Sequence, residues 1–316
     1  MKKISILIIG AGFIAEQHIK SLITIKKVNI VGLYSRSFLK AKKLSKKYGI
    51  NKTFQKLDEV RNFSENIDII FLLVNAENTL DIFYKIIQLK KYIFFEKPTG
   101  ITYSQHLKIL KGVKENQIKT FIGFNRRYYS ALHKGLKKIT SNNKKITSLL
   151  IEGHERIWQI KKLSKFKNFI SNWPFINSIH NVDLIRMICG EINLKSFNKI
   201  QNKGCHTCIM KSKSGVAITY ISNYDYADSW SVKIYNDNGE ILVLKPLEKC
   251  SYISKKTLYE IKPNISDLEF KMGFKNMHLS LIRAFQKNKI SWPDQDIINS
   301  IHTSKLVNKI FYNKKS

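Results

Sequence analysis

Ile4-Ser5-Ile6-Leu7-Ile8-Ile9-Gly10-Ala11-Gly12-Phe13-Ile14-Ala15 is the stretch whose reading decides the fold. A short, mostly apolar run ends in two glycines, and a pattern with helical spacing, Ile14–Ile25, follows without a break. Such a run fits a parallel strand covered on both faces. The spacing is GxGxxA, set between strand and helix, which is the context a dinucleotide fingerprint requires. Gly10 permits the tight turn, Gly12 lets the backbone approach a pyrophosphate, and Ala15 supplies the small third side chain. The helix start adds free N–H groups and the positive end of a dipole. The bland alternative is a bare glycine turn. Met1-Lys2-Lys3 followed by Ile4–Ala15 also imitates a secretory leader, but Gly10 and Gly12 interrupt its apolar stretch, and the strand is the better reading.

Working outward, apolar runs of strand length recur at Val28–Tyr34, Ile67–Val74, Tyr92–Phe95 and Thr120–Gly123. Helical patterns Phe38–Tyr48, Thr79–Leu89 and Ser104–Glu115 lie between them. Strands that do not alternate, separated by helices, predict an α/β domain: a doubly wound, Rossmann-type parallel sheet. After Ala131–Ile139 and the polar Thr140–Lys145 the character changes. Strand candidates Ile146–Glu152, Ser196–Gln201, His206–Lys211, Val216–Ser222, Ser231–Tyr235 and Glu240–Leu244 come in succession, with Asn236-Asp237-Asn238-Gly239 as a hairpin turn. Helices are expected over Asn177–Met187, Asp267–Asn288 and Asp294–Tyr312. The second domain is therefore expected to be α+β, on a mainly antiparallel, open-faced sheet. The boundary is drawn as 1–124 and 125–316.

The charge of +32, from 55 basic and 23 acidic side chains, suggests nucleic acid at first sight. Two counts weaken that. Only seven of the basic residues are Arg, the type favoured for bidentate phosphate and base contacts. The excess is also diffuse, with 22 basic and 9 acidic residues in 1–120 and 33 and 14 in the remainder. No nucleic-acid partner is expected, and no stretch reaches membrane-span length. Four cysteines fit a reducing, cytoplasmic setting. Cys205-His206-Thr207-Cys208 has CxxC spacing but no second ligand pair, so it reads as part of a strand and no metal is expected.

Two segments carry further chemistry. The second strand ends Leu33-Tyr34-Ser35-Arg36-Ser37, where an acid that would bind the ribose hydroxyls of NAD is replaced by Ser35, with Arg36 and Lys40 nearby. A missing carboxylate beside a guanidinium favours NADP(H) over NAD(H), against the alternative of a solvated arginine. Phe95-Glu96-Lys97-Pro98 closes another strand at the carboxyl edge of the sheet, where ligands sit.

GxGxxA, Glu96-Lys97-Pro98, Gly123-Phe124-Asn125-Arg126-Arg127-Tyr128 and His180-Asn181-Val182-Asp183, in that order, resemble the Gfo/Idh/MocA oxidoreductase family. Val74–Asn78 resembles the family's turn after its fourth strand, with Asn78 in the place of its Asn and Glu77 where Pro is usual. The resemblance implies a nicotinamide oxidoreductase acting on a carbinol or keto group of a sugar, cyclitol or nucleotide sugar. It implies cofactor contacts from Gly10, Gly12, Phe13, Ile14, Ser35, Arg36, Val74, Asn75, Asn78, Glu96 and Lys97. Lys97 is expected beside the reacting hydroxyl and His180 as general acid/base, a role suited to an imidazole near neutrality. Arg127, His154, Asn177 and Asp183 are the expected substrate contacts, with orientation of His180 the alternative for Asp183; Tyr128, Trp158 and Trp173 are weaker candidates. It also implies a homodimer or homotetramer, with sugar specificity in second-domain loops such as the Lys-rich, irregular Trp158–Pro174. One departure opens an alternative. The family often has an Asp four residues before the histidine, and here that position is Ile176, beside Asn177. A catalytically idle sensor that binds cofactor and sugar is the second reading.

Overall fold

The computed structural model describes residues 3–163, 169–202 and 204–312. The chain divides into two compact units: one ends at Asn125 and takes back Glu269–His302, while the other runs Arg126–Leu268 and resumes at Thr303.

The first unit holds a parallel sheet of β1 (Ile4–Ile9), β2 (Val28–Tyr34), β3 (Thr53–Phe54), β4 (Ile69–Leu72), β5 (Tyr92–Phe95) and β6 (Thr120–Ile122). Its order is β3-β2-β1-β4-β5-β6, the Rossmann arrangement. Every side chain of β4 and β5 is buried, which explains their unbroken apolar sequences. Helices α1 (Phe13–Leu22), α2 (Phe38–Tyr48), α3 (Leu57–Asn62), α4 (Thr79–Ile86) and α5 (Tyr103–Glu115) connect the strands. The chain leaves β1 toward β2 and returns to pair β4 on its other side, so a crevice opens at the carboxyl ends of β1 and β4. The two-residue β3 was not read from the sequence, because it is too short to carry an apolar run.

The second unit holds α6 (Ser130–Ile139), β7 (Ile146–Glu152), α7 (Ile157–Lys161), α8 (Ile179–Cys189), β8 (Ile192–Asn202), β9 (Cys205–Ser212), β10 (Ala217–Asn223), β11 (Ser231–Asn236), β12 (Ile241–Leu244), β13 (Cys250–Ser254), β14 (Thr257–Ile261) and α9 (Ile265–Glu269). Its eight strands are ordered β14-β13-β12-β11-β7-β10-β9-β8 and pair antiparallel except β7 with β10. Buried and less buried residues alternate along β9, β10 and β11, as in a sheet with one covered face. Helices α6 and α8 pack on that sheet. Strands β13 and β14 were also not read; the mostly exposed β14 lies at the sheet edge and has no buried stripe to reveal it.

Two expectations need correction. Asp267–Asn288 is not one helix: α9 ends at Glu269, Gly273 adopts φ 80°, and α10 begins anew as Phe274–Lys287. Nor does all of 125–316 belong to the second unit. Helix α10 buries Phe274, Met277 and Leu281 and packs on α1. After it, Gln295 O accepts the Ile122 N–H at 2.8 Å and Thr120 Oγ1 accepts the Ile297 N–H at 3.0 Å, just before α11 (Ile297–Phe311). Strand β6 is the edge of the first sheet, and this returning segment takes its outward Ile122 N–H. Of the Trp158–Pro174 connection, residues 164–168 lie outside the described residues.

Candidate active site

The turn after β1 is shaped by what cannot stand there. Gly10 has φ 121°, and a Cβ on it would meet the Leu73 carbonyl oxygen at 2.3 Å. A Cβ on Gly12 would meet nothing within 4 Å, so the backbone there is open to an approaching group. Gly12 caps α1 with no side-chain hydrogen bond, leaving the first-turn N–H groups to a ligand. Phe13 is exposed at that start and Ala15 is wholly buried beneath it. Gly10, Gly12, Ser35, Arg36, Val74, Asn75 and Asn78 line one cavity of about 430 Å³. A Cβ-free cradle and an uncapped helix start fit a dinucleotide pyrophosphate.

At the far end of this cavity, Ser35-Arg36-Ser37 leads into α2, whose first turn has no acidic residue and no side-chain cap. Lys40 also lines the wall; Asp81, the one acid there, is held by Lys85 at 2.8 Å.

Glu96 and Lys97 follow β5 and do not line that cavity. Glu96 Oε2 accepts the Lys97 N–H at 2.9 Å, and Lys97 is half-buried. Two residues on, Thr99 Oγ1 meets His106 Nδ1 at 3.0 Å, while Ser300 Oγ lies 3.3 Å from His106 Nε2. Burial pushes His106 down to about 4, so a neutral imidazole ties the turn after Lys97 to α5.

In the second unit a separate cavity of about 320 Å³ gathers Arg126, His154, Glu155, Asn177 and Trp230. Arg126 lies over the Trp230 ring at 4.5 Å, and Trp230 Nε1 donates to the His154 carbonyl at 2.8 Å. Arg126 Nε and Nη1 are buried without a hydrogen-bond partner among the described residues, as is His154 Nδ1. Burial lowers the Arg126 pKa, working against its charge. Glu155 is the opposite case: its Oε1 accepts from Ser178 Oγ at 2.6 Å, and its Oε2 accepts from Trp173 Nε1 at 2.8 Å and Asn177 Nδ2 at 3.0 Å. Burial raises its pKa against those three donors. It thereby grips the wide helical turn Pro174–Ser178 that carries Ile176 and leads into α8, with His180 at the second position of that helix.

Sequence reading selected Arg127 and Asp183 as substrate contacts, and the structure gives them to each other. Arg127 Nε donates to Asp183 Oδ2 at 2.6 Å, and both are buried. Asp183 also accepts from Thr303 Oγ1 at 3.1 Å. The guanidinium that faces a cavity is Arg126, one residue earlier. It and Glu155 were missed, although each adjoins a residue that had been singled out. Trp173 is buried, with its indole N–H on Glu155, and Trp158 is exposed beside Lys162. Tyr128 is buried in the core. Cys205 and Cys208 are free thiols on β9, and burial pushes Cys208 up to about 12. Among the described residues no group of three His, Cys, Asp or Glu side chains is arranged to hold a metal, and no helix is long and apolar enough to cross a membrane.

Comparison with known proteins fits this geometry. Residues 4–124 match the model of the Gfo/Idh/MocA family, described as an oxidoreductase family with an NAD-binding Rossmann fold. Glucose-6-phosphate 3-dehydrogenase of Bacillus subtilis is 33% identical over 156 residues, covering 49% of this chain and 42% of that protein. Inositol 2-dehydrogenase of Salmonella paratyphi B is 22% identical over 187 residues, covering 58% of this chain and 54% of that protein. The matched stretches thus span about half the length of these curated relatives. A dehydrogenase structure from Chromobacterium violaceum superposes with a TM-score of 0.81 at 11% identity, over 98% of this chain and 94% of that one, and shows the fold. Over residues 4–124 the chain is thus similar to the NAD-binding Rossmann fold of the Gfo/Idh/MocA oxidoreductase family, and the full-length superposition shows the fold.

Proposed function

We propose that the protein is a nicotinamide-dependent oxidoreductase acting on a carbinol or keto group of a sugar, cyclitol or nucleotide sugar. The observation that carries this is the second-unit cavity of about 320 Å³, lined by Arg126, His154 and Asn177, beside which Arg126 Nε and Nη1 and His154 Nδ1 have no hydrogen-bond partner among the described residues. A ligand rich in hydroxyl groups, which both donate and accept, supplies partners for a guanidinium and an imidazole of either tautomer. His154 and Asn177 belong to that pocket; Arg127 and Asp183 serve it indirectly, by fixing α8 below His180.

Bound nicotinamide supplies the hydride acceptor or donor. Lys97 holds the oxygen of the reacting carbinol, where an ammonium stabilises developing alkoxide charge. His180 takes the hydroxyl proton on oxidation and returns it on reduction. NADP(H) is preferred over NAD(H), because Arg36 and Lys40 flank an α2 start without an acidic residue, a setting for a 2′-phosphate. The chain works as a homodimer or homotetramer, with Ile209, Ile200 and Leu258, exposed apolar residues of the second sheet, in the contact.

The sensor reading keeps one observation in its favour: Ile176 offers no carboxylate, and Asn177 is engaged by Glu155. The test is a panel of free, phosphorylated and nucleotide-linked sugars and cyclitols with NADPH or NADH, scored by thermal midpoint and nicotinamide absorbance. Turnover with at least one panel member is expected. Ligand-induced stabilisation with no turnover anywhere on the panel makes the protein a sensor.

A further inference from the structure

A buried chain of hydrogen bonds runs inward from the Glu96–Lys97 peptide. Glu96 Oε2 accepts the Lys97 N–H at 2.9 Å, and Glu96 Oε1 lies 3.1 Å from His18 Nε2. His18 Nδ1 lies 2.7 Å from His278 Nε2, and His278 Nδ1 lies 2.9 Å from Ser21 Oγ. Both imidazoles are 0% exposed, and the rings of Phe71, Phe94 and Phe274 surround His18. Gly123 leaves the space this needs: a Cβ there would stand 3.2 Å from Glu96 Oε1 and 2.8 Å from the Phe94 ring.

The proton positions follow from donor and acceptor rules. An ionised carboxylate only accepts, so His18 must carry hydrogen on Nε2. The His18–His278 contact has room for one proton. Burial, His18 and the Lys275 ammonium all disfavour a charged His278, whose pKa lies well below its usual value. Either way His18 Nε2–H donates to Glu96; the one proton of the His18–His278 contact stands on His278 Nε2 when His18 is neutral and on His18 Nδ1 when it is charged. Glu96 and Lys275 are the charged groups facing the pair, one at the end of β5 and one on α10.

We propose that His18 is a positioning residue for Lys97: it holds the Glu96 carboxylate, whose other oxygen takes the Lys97 N–H, and His278, itself held by Ser21, fixes the His18 ring from its other nitrogen. The proposal rests on the role given to Lys97 above. Pinned by Glu96 before it and by the Thr99–His106 contact after it, the Lys97 backbone keeps one orientation at the strand end. A catalytic group displaced by about 1 Å can lose on the order of a hundredfold in rate.

Nitrogen-15 histidine NMR of the full-length protein is the first test and needs no variant. His18 is expected to carry hydrogen on Nε2, the nitrogen facing Glu96. Protonation of His18 at Nδ1 alone overturns the proposal. The second test is kinetic, with the substrate found in the panel. His18→Leu should lower kcat about tenfold or more while the NADPH dissociation constant stays within about twofold, and His18→Gln, which restores an N–H toward Glu96, should recover most of the loss. If Lys97→Ala abolishes turnover and His18→Leu folds with unchanged kcat, the positioning role fails alone. If Lys97→Ala retains full turnover, the role of Lys97 fails and this proposal with it.

Discussion

The Arg127 guanidinium closes on the Asp183 carboxylate with two hydrogen bonds, Nε to Oδ2 at 2.6 Å and Nη2 to Oδ1 at 2.8 Å, both side chains 2% exposed. It joins the start of the second unit to α8, the helix that carries His180. Removing one partner leaves the other as an uncompensated buried charge. Asp183→Asn should therefore destabilise the protein by about 3–5 kcal/mol. Denaturant unfolding of the variant reads this directly, and a loss under about 1 kcal/mol would mean the pair is dispensable.

Arg126 is the reverse case: among the described residues its Nε and Nη1 have no hydrogen-bonding partner. Arg126→Met keeps much of the apolar stem and removes the unsatisfied donors. The ligand-free variant should unfold at a higher temperature than wild type, by an increment worth about 1–3 kcal/mol. It should also lose the stabilisation that sugar gives to wild type. A variant less stable than wild type and still stabilised by sugar contradicts the pocket assignment.

The proposed preference for NADP(H) rests on Arg36, exposed at the rim of the cavity after β1. Arg36→Ala should weaken NADPH binding by about tenfold, the loss of a charge-assisted hydrogen bond, and leave NADH affinity unchanged. Fluorescence titration with both cofactors decides it; equal losses for the two would remove the 2′-phosphate role.

Glu240 gives a pH signature. Lys144, first among its partners and 2.7 Å away, holds this carboxyl down from its ordinary 4.5 to about 2. Because the folded value is depressed, the stabilisation is fully present above 4.5 and is lost as pH falls through about 2. Glu240→Gln should be less stable than wild type at pH 7, and the gap should close on acidification across that window. A gap independent of pH would show that packing, not the ion pair, accounts for it.

The sequence and the structure agree most closely where a local rule decides the outcome. Strands β1, β2 and β5 appear at the residues read from apolar runs, because both faces of a parallel sheet are covered and the run cannot alternate. Gly10 and Gly12 were legible because backbone conformation and close approach leave few other residues possible. The second-unit site was less legible because its partners are set by tertiary packing. Nothing in Arg126-Arg127 says which guanidinium will meet Asp183 and which will face a cavity. Nor does Glu155 show in sequence that it will grip Trp173, Asn177 and Ser178. The histidine chain was invisible for the same reason: His18 and His278 are 260 positions apart and meet because α10 returns to α1.

The proposed hydride transfer takes place at a site that requires Lys97. Nicotinamide absorbance, followed with wild type and Lys97→Ala on the sugar that most raises the thermal midpoint, tests it most directly. Steady absorbance change is expected with wild type and a loss of about a thousandfold or more with Lys97→Ala, at near-normal cofactor affinity. Equal rates for the two proteins would contradict it.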